Sequence, residues 1–99
     1  MMATGKAPRQ VETHYDSGAV KERKSLLNGK LEGEYVSYFE SGQPMARVFY
    51  AGGLKEGEAF SYYRNGNVRE RAFFRKDKLE GPYFSYYENG QVKEEENYR

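Results

Sequence analysis

Gly57-Glu-Ala-Phe-Ser-Tyr-Tyr-Arg-Asn-Gly66 and Gly81-Pro-Tyr-Phe-Ser-Tyr-Tyr-Glu-Asn-Gly90 are near-copies set 24 residues apart. Working outward, the interval never slips. Gly18, Gly42, Gly66 and Gly90 form one glycine series, and Gly33, Gly57 and Gly81 form a second. The first closes Tyr15-Asp-Ser-Gly18, Phe39-Glu-Ser-Gly42, Tyr63-Arg-Asn-Gly66 and Tyr87-Glu-Asn-Gly90. The second closes Lys30-Leu-Glu-Gly33, Leu54-Lys-Glu-Gly57 and Lys78-Leu-Glu-Gly81. Leu26, Tyr50, Phe74 and Tyr98 make a further column, as do Thr13, Ser37, Ser61 and Ser85. A unit this short cannot bury an apolar face alone, so adjacent units must cover one another. The chain is a tandem array.

Within each unit the apolar residues alternate with a period of two, which is the period of a strand. Asn65-Gly66 and Asn89-Gly90 are strong hairpin signals, because a type I′ turn needs positive φ at both central residues. Ser17-Gly18 and Ser41-Gly42 can make the same turn, or a type I turn closed by a glycine bulge. The second glycine series marks the link from one hairpin to the next. A helix over Val68–Lys78 competes on composition but fails on length, because the turns leave too few residues for a stable capped helix. Four hairpins follow, over about 11–27, 34–51, 58–75 and 82–98, after a disordered leader at 1–10. The repeat boundaries are 11–33, 34–57, 58–81 and 82–99. The predicted fold is all-β: tandem antiparallel hairpins forming one elongated, twisted, single-layer sheet.

A two-residue loop at Asn89-Gly90 sets Glu88 against Gln91, Tyr87 against Val92, Tyr86 against Lys93 and Phe84 against Glu95. The same register sets Tyr62 against Arg69, Phe60 against Arg71, Tyr38 against Met45 and Val36 against Arg47. Side chains alternate across a sheet, so two faces can be written down. A structural face carries Tyr15, Phe39, Tyr63 and Tyr87 over Val20, Pro44, Val68 and Val92, then small residues, then Leu26, Tyr50, Phe74 and Tyr98. The other face carries Tyr38, Tyr62 and Tyr86 beside Arg47, Arg69, Arg71 and Lys93, with Phe49, Phe60, Phe73 and Phe84.

Composition narrows the function. Hydrophobic content is only 37% against 31% charged, so the ten tyrosines and six phenylalanines must supply most of the buried area. A net charge of +1 gives no global field to draw in nucleic acid. Without cysteine there is neither a disulfide framework nor a thiolate metal site. The polar start lacks a secretory signal, and no run approaches the ~18 apolar residues of a membrane helix. The expected location is cytoplasmic.

Catalysis has no visible machinery. The lone histidine, His14, stands in phase with Tyr38, Tyr62 and Tyr86 and reads as a repeat variant. The serines recur because a small polar residue fits between rings, and none has an adjacent base. The glycines belong to turns, with no phosphate loop leading into a helix. No catalytic, cofactor or metal residue is expected. What stands out is the in-phase column Arg23, Arg47 and Arg71, spaced ~10 Å apart at two strands per repeat and broken by Glu95. Each arginine alone reads as a cover for neighbouring rings. The face as a whole reads as a docking surface, since Tyr and Arg dominate interface energetics. The expected contact residues are Tyr38, Arg47, Phe60, Tyr62, Arg69, Arg71, Phe84 and Tyr86. Glu94-Glu95-Glu96 reads as a charged strand edge that discourages pairing between copies.

The unit Gly-x-(Tyr/Phe)-x-Ser-Tyr-Tyr-x-Asn-Gly-x-Val-x-Glu, followed by a Tyr or Phe and a Leu-Glu-Gly link, resembles the variant class of MORN repeats. The resemblance covers about residues 13–99 and fades toward the N-terminus. It implies an elongated sheet of hairpins acting as a non-catalytic module that binds another protein. The antitoxin-like label of bacterial members implies inhibition of a toxin or enzyme by binding. Peripheral attachment to anionic membrane lipid is the rival that the family name suggests, and the balanced charge weighs against it. A structural scaffold that self-associates edge to edge is the third reading.

Overall fold

The computed structural model describes residues 7–99. Ten strands follow one another: β1 (Arg9–His14), β2 (Val20–Leu27), β3 (Lys30–Leu31), β4 (Gly33–Tyr38), β5 (Pro44–Ala51), β6 (Leu54–Tyr62), β7 (Val68–Arg75), β8 (Lys78–Leu79), β9 (Gly81–Tyr86) and β10 (Val92–Tyr98). All lie in one antiparallel sheet of order β1-β2-β4-β5-β6-β7-β9-β10, with β3 beside β2 and β8 beside β7. Order in space follows order in sequence because every connection is short. The Val68–Lys78 segment is strand and turn, not helix. Strand β1 starts at Arg9, two residues before the expected boundary at 11, because Arg9 and Gln10 pair with Leu26 and Ser25. Residues 1–6 of the expected leader lie outside the described residues.

A single layer has little interior. The chain measures 52 × 41 × 16 Å, and its 15.6 Å radius of gyration exceeds the ~13 Å of a compact chain this long. Among the described residues only Val36, Ala72 and Ser85 are buried. Aromatic rings therefore work half-wet, stabilising the sheet by covering its ladder.

Two kinds of turn alternate along the array. The loops ending in Gly18, Gly42, Gly66 and Gly90 hold three residues, with the glycine alone at positive φ near +95°. In the last of them Gly90 N–H donates to the Tyr87 carbonyl at 2.9 Å and Tyr87 N–H to Gln91 at 2.8 Å. This is a type I turn with a glycine bulge, not the type I′ turn expected at Asn65-Gly66 and Asn89-Gly90. Those asparagines act through the side chain instead: Asn65 Oδ1 accepts from Asn67 N–H at 2.9 Å and Asn89 Oδ1 from Gln91 N–H at 3.0 Å.

The third loop residue slips the register by one beside the turn. Tyr38, Tyr62 and Tyr86 face Pro44, Val68 and Val92, not Met45, Arg69 and Lys93. Tyr87 likewise faces Gln91, so the expected Tyr87–Val92 and Glu88–Gln91 pairs do not form. A one-residue bulge then restores the frame, so Val36–Arg47, Phe60–Arg71 and Phe84–Glu95 stand as expected.

The type I′ turns sit at the other end of the strands: Asn28-Gly29 (φ +52° and +79°), Gly52-Gly53 (+59° and +88°) and Lys76-Asp77 (+49° and +71°). The second glycine series lies just beyond them, in bulges. Between Tyr50–Lys55 and Val48–Ala59, two steps along β5 match four along β6, and Gly57 at φ +89° absorbs the excess.

Lys76 and Asp77 adopt a left-handed backbone that costs roughly 1–2 kcal/mol per non-glycine residue. Asp77 has compensation, since its Oδ1 accepts from Lys55 N–H at 2.7 Å. Lys76 contributes only its backbone N–H, to Glu56 at 3.2 Å. Lys76→Gly is therefore expected to raise stability by about 1 kcal/mol, and Asp77→Gly to change it little. Urea midpoints of the two variants check this.

Repeats are also stitched sideways. Gly52 N–H donates to the Glu32 carboxylate at 2.8 Å and Gly53 N–H to the Leu31 carbonyl at 2.9 Å. One repeat later, Lys76 and Asp77 bond to Glu56 and to the Lys55 carbonyl in the same way. At the opposite end, the Tyr15 and Tyr63 hydroxyls donate to the Tyr38 and Tyr86 carbonyls, both at 2.6 Å.

Candidate binding face

On one face, hydroxyls and carboxylates alternate. Glu22 accepts from Thr13 at 3.1 Å and from Tyr35. Glu70 accepts from Ser61 at 3.1 Å and Tyr83 at 2.7 Å, and Glu94 from Ser85 at 3.2 Å. Burial, then the bond to Glu22, pushes the Tyr35 hydroxyl up to about 12. The bond to Glu70, then burial, pushes Tyr83 up to about 12. A tyrosine held neutral by the fold adds stability that is complete below its ordinary value of 10.0 and lost as pH rises through about 12. The urea midpoint is thus expected to fall between about pH 10 and 12, and to fall less in Tyr35→Phe and Tyr83→Phe. These bonds tie neighbouring strands and repeats together across this face.

The opposite face is built from rings and arginines. Arg23, Arg47 and Arg71 stand across the seams from Val36, Phe60 and Phe84. Each guanidinium is tied to a glutamate: Arg23 Nε to Glu12 at 3.0 Å, Arg47 Nε to Glu34 at 3.7 Å and Arg71 Nε to Glu58 at 2.6 Å. Those bonds, to Glu12 and Glu58 respectively, hold the Arg23 and Arg71 cations above the ordinary arginine range. Phe60 stacks on Tyr62 with centroids 6.2 Å apart at 19°, and Phe84 on Tyr86 at 6.3 Å and 24°. The Arg71 guanidinium carbon sits 5.3 Å from the Phe73 ring centre and 5.9 Å from that of Phe84.

Between the third and fourth repeats these side chains frame an open groove of about 580 Å³, lined by Glu58, Phe60, Asn67, Val68, Arg71, Tyr86 and Gly90. Of the expected contact residues, Phe60, Arg71 and Tyr86 line it, and Tyr62 and Phe84 stack on two of them. Tyr38 lies two strands earlier, 5.8 Å from the Arg23 guanidinium. Arg47 is exposed on the same face. Arg69 is not brought into the group: as the extra residue of its bulge it lies 5.8 Å over the Tyr63 ring.

Glu58, Asn67 and Val68 line the groove without having been expected there. Val20, Pro44, Val68 and Val92, assigned to the structural face, stand opposite His14, Tyr38, Tyr62 and Tyr86, because the slipped loop register turns them over. The glutamates had a signal in the sequence, since Glu34–Arg47 and Glu58–Arg71 share a spacing of 13 residues. Among the described residues no cluster of His, Cys, Asp and Glu is placed to hold a metal ion.

Stacked hairpins with a glycine-closed loop in each unit are the geometry expected of the resemblance. The MORN repeat variant family matches the chain over residues 31–51, 55–76 and 79–99, well over half its length. The chain belongs to that family. No curated protein and no solved structure matches it. The first hairpin, Arg9–Leu27, lies outside the matched stretches yet folds as a MORN unit, pairing Glu12 with Arg23 where the third repeat pairs Phe60 with Arg71. MORN repeats are in general binding or structural modules rather than enzymes.

Proposed function

We propose that this MORN-repeat chain captures a protein partner on its aromatic and arginine face, with the groove between the third and fourth repeats as the centre of contact. The observation that carries this is the groove lining, where Phe60 and Tyr86 flank the Glu58–Arg71 pair. Half-covered rings around one oriented ion pair supply apolar area and a directional polar anchor together, the combination that concentrates binding energy at protein interfaces. Inhibition of the captured protein, in the manner of an antitoxin or immunity protein, is the finer form of the proposal. Lipid attachment has less support, because the arginine column already has glutamate partners and leaves little free positive charge for an anionic surface.

Testing it requires the partner in pure form. A protein captured from the source cells is purified and its dissociation constant measured against the wild-type chain and against Phe60→Ala/Tyr86→Ala. Much weaker binding by the variant supports the face. Unchanged affinity removes it.

A further inference from the structure

In the second and fourth repeats a tyrosine reaches across the seam to a glutamate of the repeat before. Tyr35 donates its hydroxyl hydrogen to Glu22, and Tyr83 donates to Glu70 at 2.7 Å. Each ring also meets a second tyrosine edge-on: Tyr35 with Tyr50, centroids 6.3 Å apart at 76°, and Tyr83 with Tyr98, 6.2 Å apart at 90°. The third repeat breaks this arrangement at both ends at once. Ala59 stands in phase with Tyr35 and Tyr83, and Ala46 in phase with Glu22 and Glu70. Ring and acceptor are missing together. Phe74, in phase with Tyr50 and Tyr98, therefore has an alanine where they have a tyrosine.

The space they leave is an open hollow of about 270 Å³ on the face of hydroxyls and carboxylates. Val48, Ala59 and Ala72 lie side by side across three strands and form its floor. Phe74, opposite Gly57, stands at one end, and Glu70, opposite Ser61, at the other. About 150 Å³ accepts a benzene ring, so one substituted ring fits. The Glu70 carboxylate accepts from Ser61 and Tyr83, which leaves about two of its four acceptor positions open.

We infer that this hollow receives the tyrosine side chain of a second protein, which supplies the ring that position 59 lacks and donates its hydroxyl hydrogen to Glu70. The neighbouring repeats identify the occupant, because they fill the same place with a phenol hydrogen-bonded to a carboxylate. With alanine at 46, Glu70 is the carboxylate that lines the hollow. A phenylalanine would leave its open positions unused. A protein residue fits better than a free phenol, since a single-layer sheet gives the ring a floor and no roof. Small-molecule sites enclose about 70–90% of their ligand, whereas a protein brings its own cover. The hollow lies on the face away from the Phe60–Tyr86 groove, so this inference goes beyond the proposed docking and fails or stands separately.

The probe for the test is N-acetyltyrosinamide, titrated into the isotope-labelled chain and followed by its amide shifts. Saturable shifts centred on Ala59, Ser61 and Ala72 are expected. N-acetylphenylalaninamide should bind about tenfold more weakly, for want of the hydrogen bond to a charged group. Ala59→Tyr supplies the ring from within and should abolish the shifts. Ala59→Val fills less of the hollow and suits a strand, so it should weaken binding even if the larger replacement misfolds. Tyr86→Ala, on the other face, should leave the affinity unchanged. Absence of saturable shifts at these residues, equal affinity for the two probes, or Ala59 variants that bind like wild type would overturn the inference. So would loss of binding in Tyr86→Ala, or p-cresol binding more tightly than the blocked tyrosine.

Discussion

Ala72→Asp is expected to destabilise the fold by about 3 kcal/mol or more, the order found when a charge is left buried without a partner. Ala72 is 7% exposed, opposite Ala59 in the ladder, in a shallow hollow that also includes Ala46, Val48, Phe74, Leu79 and Tyr83. The ionisable groups of that hollow are the Glu70 carboxylate and the Tyr83 phenol, and no cation lines it. A carboxylate there would lose water, gain repulsion from Glu70 and crowd the Tyr83–Glu70 hydrogen bond. Val36, the other buried aliphatic, is a gentler position, because Arg23 and Arg47 stand on either side of it in the ladder. Urea titration of Ala72→Asp beside Val36→Asp separates the two, with the larger loss expected at Ala72. A thin array also gives the damage a direction. The seam between the third and fourth repeats weakens most, so unfolding should lose its single transition and acquire a reduced slope against urea.

Phe60→Ala/Tyr86→Ala is expected to weaken partner binding at least about thirtyfold, the equivalent of one hot-spot residue, even when the two losses overlap. The rings belong to adjacent repeats and flank the groove from both sides. Tyr38→Ala, on the same face but two strands away, should cost much less, which makes the contact a local one. Arg71→Ala tests a different point. Its guanidinium is tied to Glu58 and covers Phe73 and Phe84, so its removal frees a carboxylate in the groove as well as deleting a cation. A partner that presents an acidic group should lose affinity with Arg71→Ala and gain with Glu58→Gln. Isothermal titration of the three variants against wild type distinguishes these outcomes.

The 24-residue period made the hairpins, their order and the mid-strand pairs legible, because alternation fixes which residues share a face once any one pair is right. The ends of the strands were not legible. Asn-Gly reads as a type I′ turn because asparagine tolerates positive φ, but Asn65 and Asn89 serve as side-chain acceptors and leave the positive φ to glycine. Lys76-Asp77 does form a type I′ turn, without a glycine to signal it, because Glu56 and the Lys55 carbonyl hold its backbone N–H groups. Of the docking face, the rings could be read from their columns. That the arginines are engaged was legible only in part: the shared spacing of 13 residues puts Glu34 and Glu58 on the strand beside Arg47 and Arg71, but the side-chain geometry that closes each pair comes from the structure.

The sideways stitching at Glu32 and Glu56 runs one way along the polypeptide: an earlier unit supplies the carboxylate and carbonyl, and a later unit supplies the amides that need them. A chain emerging from the ribosome therefore meets each template already built, and hairpins can settle one at a time without waiting for the C-terminus. The dependence is not symmetric. A nascent chain halted after its second unit keeps every acceptor it needs, whereas a segment begun at the third would present turn amides to empty solvent.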